Sequence, residues 1–199
     1  MRNHSIKVKI VPPEVLLGAY CSGYFPMADS RRGRIYWYSP DPRAIFDLEE
    51  FRIPRTIRQA LRKQQFNIRI DTDFGAVIRA CADRKKTWIS EEIVQSYLEL
   101  HRLGFAHSVE AWQEDELVGG LYGVSIGGAF FGESMFHRVS NASSAALIFL
   151  HNRLRERGFL LHDVQFITPH LARFGAREIP REEYLIRLEQ AIRKHCVFS

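Results

Sequence analysis

An α+β domain with helices laid on a mostly antiparallel sheet is what this 199-residue sequence predicts. Between His107 and Phe136 three apolar segments follow one another, separated by the turn QEDE and by the pair Gly127-Gly128, as in an antiparallel meander. Helical spacing of apolar residues precedes and follows that meander, and one more strand-like run, FLLHDVQF, comes later. The order of helix-rich region, three strands, helix, strand and helix is that of a sheet covered by helices.

Taken in order, the stretch GYFPMADSRRGRIYWYSPDPRAIF is dense in Gly, Pro, Ser and aromatics and has little helical or alternating period. It reads as a small, loop-rich N-terminal unit over residues 1–41, packed through Phe25, Tyr36, Trp37 and Tyr38, ahead of a main domain over 42–199. A basic helix is expected at 54–64 with Pro54 in its first position, then a strand in FNIRI, then a helix at 74–82 capped by Asp71 or Asp73. Beyond a Lys-Lys loop, TWISEEIVQSYLELHRLG reads as one helix, with Ser90 as its cap and Gly104 as its stop. After the meander, Ser140 or Asn141 caps a helix at 142–157. Its Ala142, Ala145, Ala146, Phe149, Leu150 and Leu154 form an apolar stripe ended by Gly158. The strand FLLHDVQF follows, then a short helix near 170–174, a turn at Gly175, and a last helix from Pro180 to about Lys194.

A hydrophobic content of 46% suits a globular core. No segment reaches the roughly 18 to 20 apolar residues that cross a bilayer, and the opening has no apolar run of signal-peptide length. A soluble cytoplasmic protein without a membrane partner is expected. Cys21, Cys81 and Cys196 are odd in number and scattered, against both a disulfide framework and a zinc site; reduced, structural thiols and no metal are expected. The 28 basic and 23 acidic residues give a net charge of +5, which favours polyanionic partners. The positive charge concentrates in FRIPRTIRQALRKQ, which has no acid. There Arg55, Arg58 and Arg62 share a helix face, with Lys63 beside them. Like charges so placed repel one another, so a phosphate partner explains the stripe better than a merely solvated face does.

Two polar features interrupt apolar runs. In HDVQF, Asp163 and Gln165 lie on one side of a strand and Val164 and Phe166 on the other. Asp163 could orient Gln165 by accepting from its side-chain NH2, or the strand simply has one wet face. Glu133 stands among Phe130, Phe131, Met135 and Phe136, where an unpaired carboxylate costs several kcal/mol, by roughly the usual desolvation penalty. Its compensation is either an ion pair with a residue such as Arg138 or a cationic ligand group such as an amine. Phe130 and Glu133 are odd-spaced, so both border one site only if Gly132 marks a bulge or the strand ends there. The serine-hydrolase GxSxG elbow, the HExxH zinc pattern and a P-loop are absent. His162 faces away from Asp163, and His107 and His137 stand alone.

The stretches GYFPM, YWYSPDPRA, TWIS, GFAHSVEAW, ELVGGLYGV, FFGESMF, NAS and FGAREIPREEYL occur in this order from about Leu16 to Leu188. Through them the chain resembles the leucyl/phenylalanyl-tRNA–protein transferase family. The resemblance implies a catalytic domain similar to the GNAT acetyltransferase fold behind a small N-terminal domain. It implies transfer of Leu or Phe, less readily Met, from aminoacyl-tRNA to the α-amine of proteins beginning with Arg or Lys, which marks them for degradation. No cofactor is expected, and nothing in the sequence requires more than a monomer. Carried over by motif, Glu133 is the acid of GES, and Asp163 and Gln165 are the catalytic Asp-x-Gln pair. Trp88 belongs to the terminal-adenosine or aminoacyl site; Phe130, Leu121 and Leu150 belong to the side-chain pocket; Arg55, Arg58, Arg62 and Lys63 belong to the helix that holds the acceptor arm. Two departures stand out. Met27 occupies the place of a common aromatic in the adenosine site, and fewer residues precede the match than is usual. Methionine lacks the quadrupole for stacking, so a weaker or rearranged adenine contact is expected. The competing readings are an acyl-CoA-dependent N-acetyltransferase, which HRVSNASS disfavours for want of a Gly-rich pyrophosphate loop, and a tRNA- or RNA-binding module, which leaves the three polar residues without a task.

Overall fold

The computed structural model describes residues 10–63 and 65–199. Residues 1–9 of the N-terminal unit and Gln64 of the expected basic helix lie outside the described residues. The chain opens with α1 (Pro13–Cys21) and an antiparallel hairpin of β1 (Phe25–Ala28) and β2 (Ile35–Tyr38), in which Met27 faces Tyr36 and Phe25 faces Tyr38. The hairpin inside this small N-terminal part was not legible, because strands of four residues carry too few alternations to stand out in sequence. Packing differs as well: Phe25 is buried, whereas Tyr36, Trp37 and Tyr38 are 47%, 39% and 39% exposed.

Among the described residues seven strands make the main sheet: β3 (Arg43–Phe46), β4 (Asn67–Ile70), β5 (Ala106–Gln113), β6 (Glu116–Ile126), β7 (Ala129–His137), β8 (Leu161–Gln165) and β9 (Arg177–Ile179). Their order is β4-β5-β6-β7-β8-β3-β9, and every neighbouring pair is antiparallel except β7 with β8. The meander β5-β6-β7 is the expected one. The short strands β3 and β9 were not legible, and they complete the sheet beyond β8.

Helices cover both faces, as expected of the α+β class. On one face α1, α3 (Phe74–Ala82), α4 (Glu91–Arg102) and α7 (Arg181–Ile192) bury Leu16, Tyr20, Val77, Tyr97, Tyr184 and Leu188 in one cluster with Phe131 and Tyr122 of the sheet. On the other, α2 (Arg55–Leu61), α5 (Ala142–Glu156) and α6 (Pro169–Ala172) bring Ile57, Leu147, Leu150 and Leu171 against Leu121 and Phe130. The caps follow the sequence. Asp73 accepts from the Ala76 N–H at 2.8 Å and Ser90 from the Ile93 N–H at 3.3 Å, while Asp71 instead accepts from the Ser108 N–H. Pro54 and Pro180 occupy N-cap positions, one residue earlier than expected for Pro54, and α2 closes at Leu61. On α5 the buried face comprises Ala142, Ala146, Leu147, Leu150, His151 and Leu154, with Ala145 and Phe149 on its flank. Gly119 permits this packing, since a Cβ there would lie 2.5 Å from the Ala142 Cβ. Among the described residues no helix is long and apolar enough to cross a membrane.

Candidate active site

Strands β7 and β8 pair in parallel only through Ala129–Leu161, Phe130–His162 and Phe131–Asp163. Beyond that point each strand is irregular. In β7, Gly132 faces Gly123 and Ser134 faces Tyr122, so Glu133 is an extra residue in a β-bulge. In β8, Gln165 has φ +60°, and the register with β3 shifts between Ala44 and Ile45. With its ladder interrupted, the sheet opens, and a cavity of about 750 Å³ occupies the gap, lined by residues of both sheet faces. Its apolar wall includes Leu121, Met135, Leu147, Leu150, Val164 and Leu171; Trp88, Met27, Phe25 and Phe166 border the other side, where the Ala28 N–H donates to the Trp88 carbonyl at 3.1 Å.

Glu133 stands in this gap, partly buried. The Tyr20 hydroxyl donates to its Oε1 at 2.7 Å and the Gln165 Nε2 donates to the same oxygen at 3.1 Å. The Tyr97 hydroxyl lies 3.2 Å from Oε2 and also against the Tyr20 oxygen. Its single proton can serve either contact. Burial pushes the Glu133 carboxyl up to about 7; the two tyrosine hydroxyls oppose the rise, and the charge of Asp163 adds to it. Burial likewise raises both phenols well above their ordinary range, chiefly by desolvation, so they remain donors. Of the two alternatives for compensating Glu133, the ion pair with Arg138 is not formed: Arg138 bonds the Leu117 carbonyl at 3.2 Å and lies over the Phe136 ring. Two phenols and an amide touch the carboxylate, and the charge of Arg43 favours its ionised form from farther off.

Asp163 and Gln165 share a strand face, as the alternation predicts. The contact between them is different from the expected one: Asp163 Oδ1 accepts from the Gln165 backbone N–H at 2.9 Å, and the side-chain amide turns to Glu133. Asp163 is fully buried and does not border the cavity. It is held by Arg43 through Nε at 2.9 Å and Nη2 at 2.6 Å, and by the Tyr184 hydroxyl at 2.9 Å. Arg43 is itself clasped between the rings of Phe25 and Tyr184, 4.6 and 4.5 Å from their centroids, and donates to the Gly23 carbonyl at 3.1 Å. A closed ion pair of this kind fixes the positive-φ turn at Gln165 and leaves Asp163 no free lone pair for chemistry. With its NH2 engaged by Glu133, the Gln165 amide has its carbonyl oxygen left to offer as an acceptor.

Of the expected site residues, Glu133, Gln165, Trp88, Met27, Leu121 and Leu150 meet at the cavity, while Asp163 supports Gln165 from behind. Phe130 does not border it. Phe130 is buried beneath the wall, stacked on Phe198 at 5.2 Å and edge-on to His162 at 5.9 Å. The bulge exists, yet it acts after Glu133: Phe130 and Glu133 keep opposite faces, and Met135 is the residue turned to the apolar side with Leu121. Arg55, Arg58, Arg62 and Lys63 are exposed on and just after α2, away from the cavity lining. That segment adjoins α6, since Arg173 donates to the Thr56 hydroxyl at 3.3 Å and α6 carries Leu171 into the cavity wall.

Tyr20, Tyr97, Arg43 and Tyr184 were missed. Tyr97 follows Ile93 and Val94 at helical spacing and reads as core; only Arg43, a charge opening the apolar run RAIF, offered a signal.

Residues 11–41 match the family model described as "Leucyl/phenylalanyl-tRNA protein transferase N-terminal domain", and residues 45–189 match the one described as "Leucyl/phenylalanyl-tRNA protein transferase". The leucyl/phenylalanyl-tRNA–protein transferase of Gloeobacter violaceus is 55% identical over 186 residues, covering 94% of this chain and 96% of that protein. The protein of the same name from Paramagnetospirillum magneticum is 53% identical over 191 residues, covering 94% and 91%. Among solved structures, L-PGS from Bacillus licheniformis is similar with a TM-score of 0.44 at 16% identity, the match covering 80% of this chain and 55% of that chain.

Proposed function

Because the chain belongs to the leucyl/phenylalanyl-tRNA–protein transferase family, an enzyme family that moves Leu or Phe from tRNA to protein N-termini, we propose how its cavity divides that task. The donor side chain, Leu or Phe and less readily Met, enters the apolar wall of Leu121, Met135, Leu147 and Leu150. Burying it contributes about 1.5 to 3 kcal/mol, which small or polar side chains do not gain. The terminal adenosine lies between Trp88 and Met27, and the acceptor stem follows the exposed cations Arg55, Arg58, Arg62 and Lys63. The acceptor is a protein beginning with Arg or Lys, whose positive charge is drawn to Glu133. The product carries a degradation signal. A monomer in the cytoplasm, with residues 1–41 as a small N-terminal domain, completes this reading.

The ester is already activated, so the work left is to align a neutral amine with its carbonyl carbon. A free α-amine has a pKa near 8 (about 7.7 to 8.0), so a useful fraction is neutral at physiological pH. Gln165 accepts a hydrogen bond from this amine through its carbonyl oxygen, because Glu133 takes its NH2. The nitrogen attacks the ester carbon, the new C–N bond forms, the C–O bond to the ribose breaks, and the proton lost by nitrogen ends on the ribose oxygen. An amide is too weak a base to remove that proton outright; Gln165 orients. The observation carrying this reading is the 3.1 Å contact between Gln165 and Glu133 at the edge of an apolar cavity.

Incubation with radiolabelled Leu-tRNA and an Arg-initiated peptide tests it. Label in the peptide, abolished by an acetylated N-terminus, is the expected result; binding of the tRNA without transfer would refute it.

A further inference from the structure

The hairpin that carries Met27 has more surface than the cavity uses. Residues directly opposite in an antiparallel pair project to the same side. Tyr36 therefore lies beside Met27, and Tyr38 beside Phe25, on the side of the hairpin that borders the cavity. Tyr38 stacks on Phe25 with centroids 6.1 Å apart, and Phe166 meets Phe25 edge-on at 5.7 Å. Tyr36, Tyr38 and Phe166 are 47%, 39% and 44% exposed, so an aromatic face leads outward from the cavity mouth into solvent.

The charge around this face is positive. The hairpin turn contains Arg31, Arg32 and Arg34, and Arg31 donates to the carbonyls of Ala82 and Arg84, which ties the turn to the exposed loop Arg84-Lys85-Lys86. Against these cations the two segments hold only Asp29 and Asp83 as acids. Aromatic side chains in a row beside a basic rim form the surface that single-stranded nucleic acid fits: bases stack on the rings and phosphates follow the cations.

We propose that this hairpin face is a stacking platform for the unpaired nucleotides immediately 5′ of the terminal adenosine, with Tyr36 and Tyr38 under the bases and Arg32, Arg34 and Lys85 along the phosphates. The platform rests on the transferase reading given above. It supplies a second hold on the donor, separate from the basic helix α2 on the α6 side of the cavity, and it offsets the loss of stacking at Met27.

Minimal donors test the platform: phenylalanine esterified to adenosine, to a CA dinucleotide and to a CCA trinucleotide, with an Arg-initiated peptide as acceptor. Stacking of this kind is worth about tenfold or more per base. In the unaltered chain kcat/KM rises about tenfold with each added cytidine. In the Tyr36→Ala/Tyr38→Ala double variant the ratio between trinucleotide and adenosine donors falls toward one, and Tyr36→Phe/Tyr38→Phe restores it. Both tyrosines are exposed, so the fold tolerates these changes. An unchanged ratio in the Ala variant overturns the platform. So does an intact ratio with a raised KM for the peptide, which would assign the face to the acceptor chain. No transfer by the unaltered chain from any of the three donors or from whole aminoacyl-tRNA would overturn the transferase reading, and the platform with it.

Discussion

Gln165 donates its side-chain amide to the Oε1 of Glu133 at 3.1 Å, across the gap where β7 and β8 part. The same oxygen accepts from Tyr20, and the Gln165 backbone N–H is held from behind by Asp163, itself locked by Arg43. Gln165 is thereby fixed at its backbone N–H and at its side-chain NH2, without a catalytic base in the strict sense. Its single free acceptor is a consequence of two bulged strands.

The first consequence concerns pH. Glu133, held near 7 by burial, accepts from Tyr20 and the Gln165 amide most strongly when ionised, and only the carboxylate attracts a cationic acceptor. Transfer to an Arg-initiated peptide is expected to fall as the pH drops through about 7. The Tyr20→Phe change removes a hydrogen bond to the charged form, so the carboxyl rises further and the limb moves up by about one pH unit, the usual worth of such a bond. The limb due to the acceptor amine stays in place. pH profiles of kcat/KM for both proteins check this.

The linked stability effect has the opposite sign to an ordinary ion-paired carboxylate. A folded-state value raised from 4.5 to about 7 means that the folded chain holds the proton more tightly than the unfolded one. Stability contributed by this group is full below the ordinary carboxyl range and declines as pH rises to about 7, by up to about 3 kcal/mol. In Glu133→Gln that decline is absent, which denaturant midpoints at pH 5 and pH 8 measure.

Arg43 and Asp163 form a fully buried pair, 2.6 Å apart, so removing either partner leaves a charge without compensation. Arg43→Met is expected to cost about 3 to 5 kcal/mol, whereas Arg43→Met with Asp163→Asn recovers much of it. Urea unfolding of the three variants checks the coupling.

The exposed cations of α2 act through phosphates, so their effect is ionic and selective for the RNA. Arg55→Ala/Arg58→Ala/Arg62→Ala should raise KM for aminoacyl-tRNA and reduce the slope of log KM against log salt by roughly 0.9 per lost duplex contact. The KM of the acceptor peptide should not follow. A salt-independent KM in the unaltered chain would dismiss this role.

Much of the frame was legible because long apolar runs repeat their period many times. The meander β5-β6-β7 and helices α4 and α5 are such runs. Strands β1, β2, β3 and β9 have three or four residues each and show one or two alternations, which a turn-rich composition obscures. In the site, Glu133 and Gln165 were visible as polar groups inside apolar segments. Their partners were not: Tyr20 and Tyr97 are amphipathic rings that read as core, and Arg43 meets Asp163 across a sequence separation of 120. Phe130, assigned to the pocket by motif, lies on the same side of the sheet as Leu121 and Leu150 but behind the residues that line the cavity.

Whether the Glu133 carboxylate orients Gln165 and draws in the acceptor is measured by one comparison. Transfer of labelled Leu from tRNA to an Arg-initiated peptide is followed at pH 8 with the unaltered chain and with Glu133→Gln, alongside their thermal midpoints. The Glu133→Gln protein is expected to be at least as stable as the original, with a kcat/KM about 10²-fold lower, the scale typical for loss of one positioned polar group. A folded Glu133→Gln protein that transfers Leu at the original rate would contradict that role of the carboxylate.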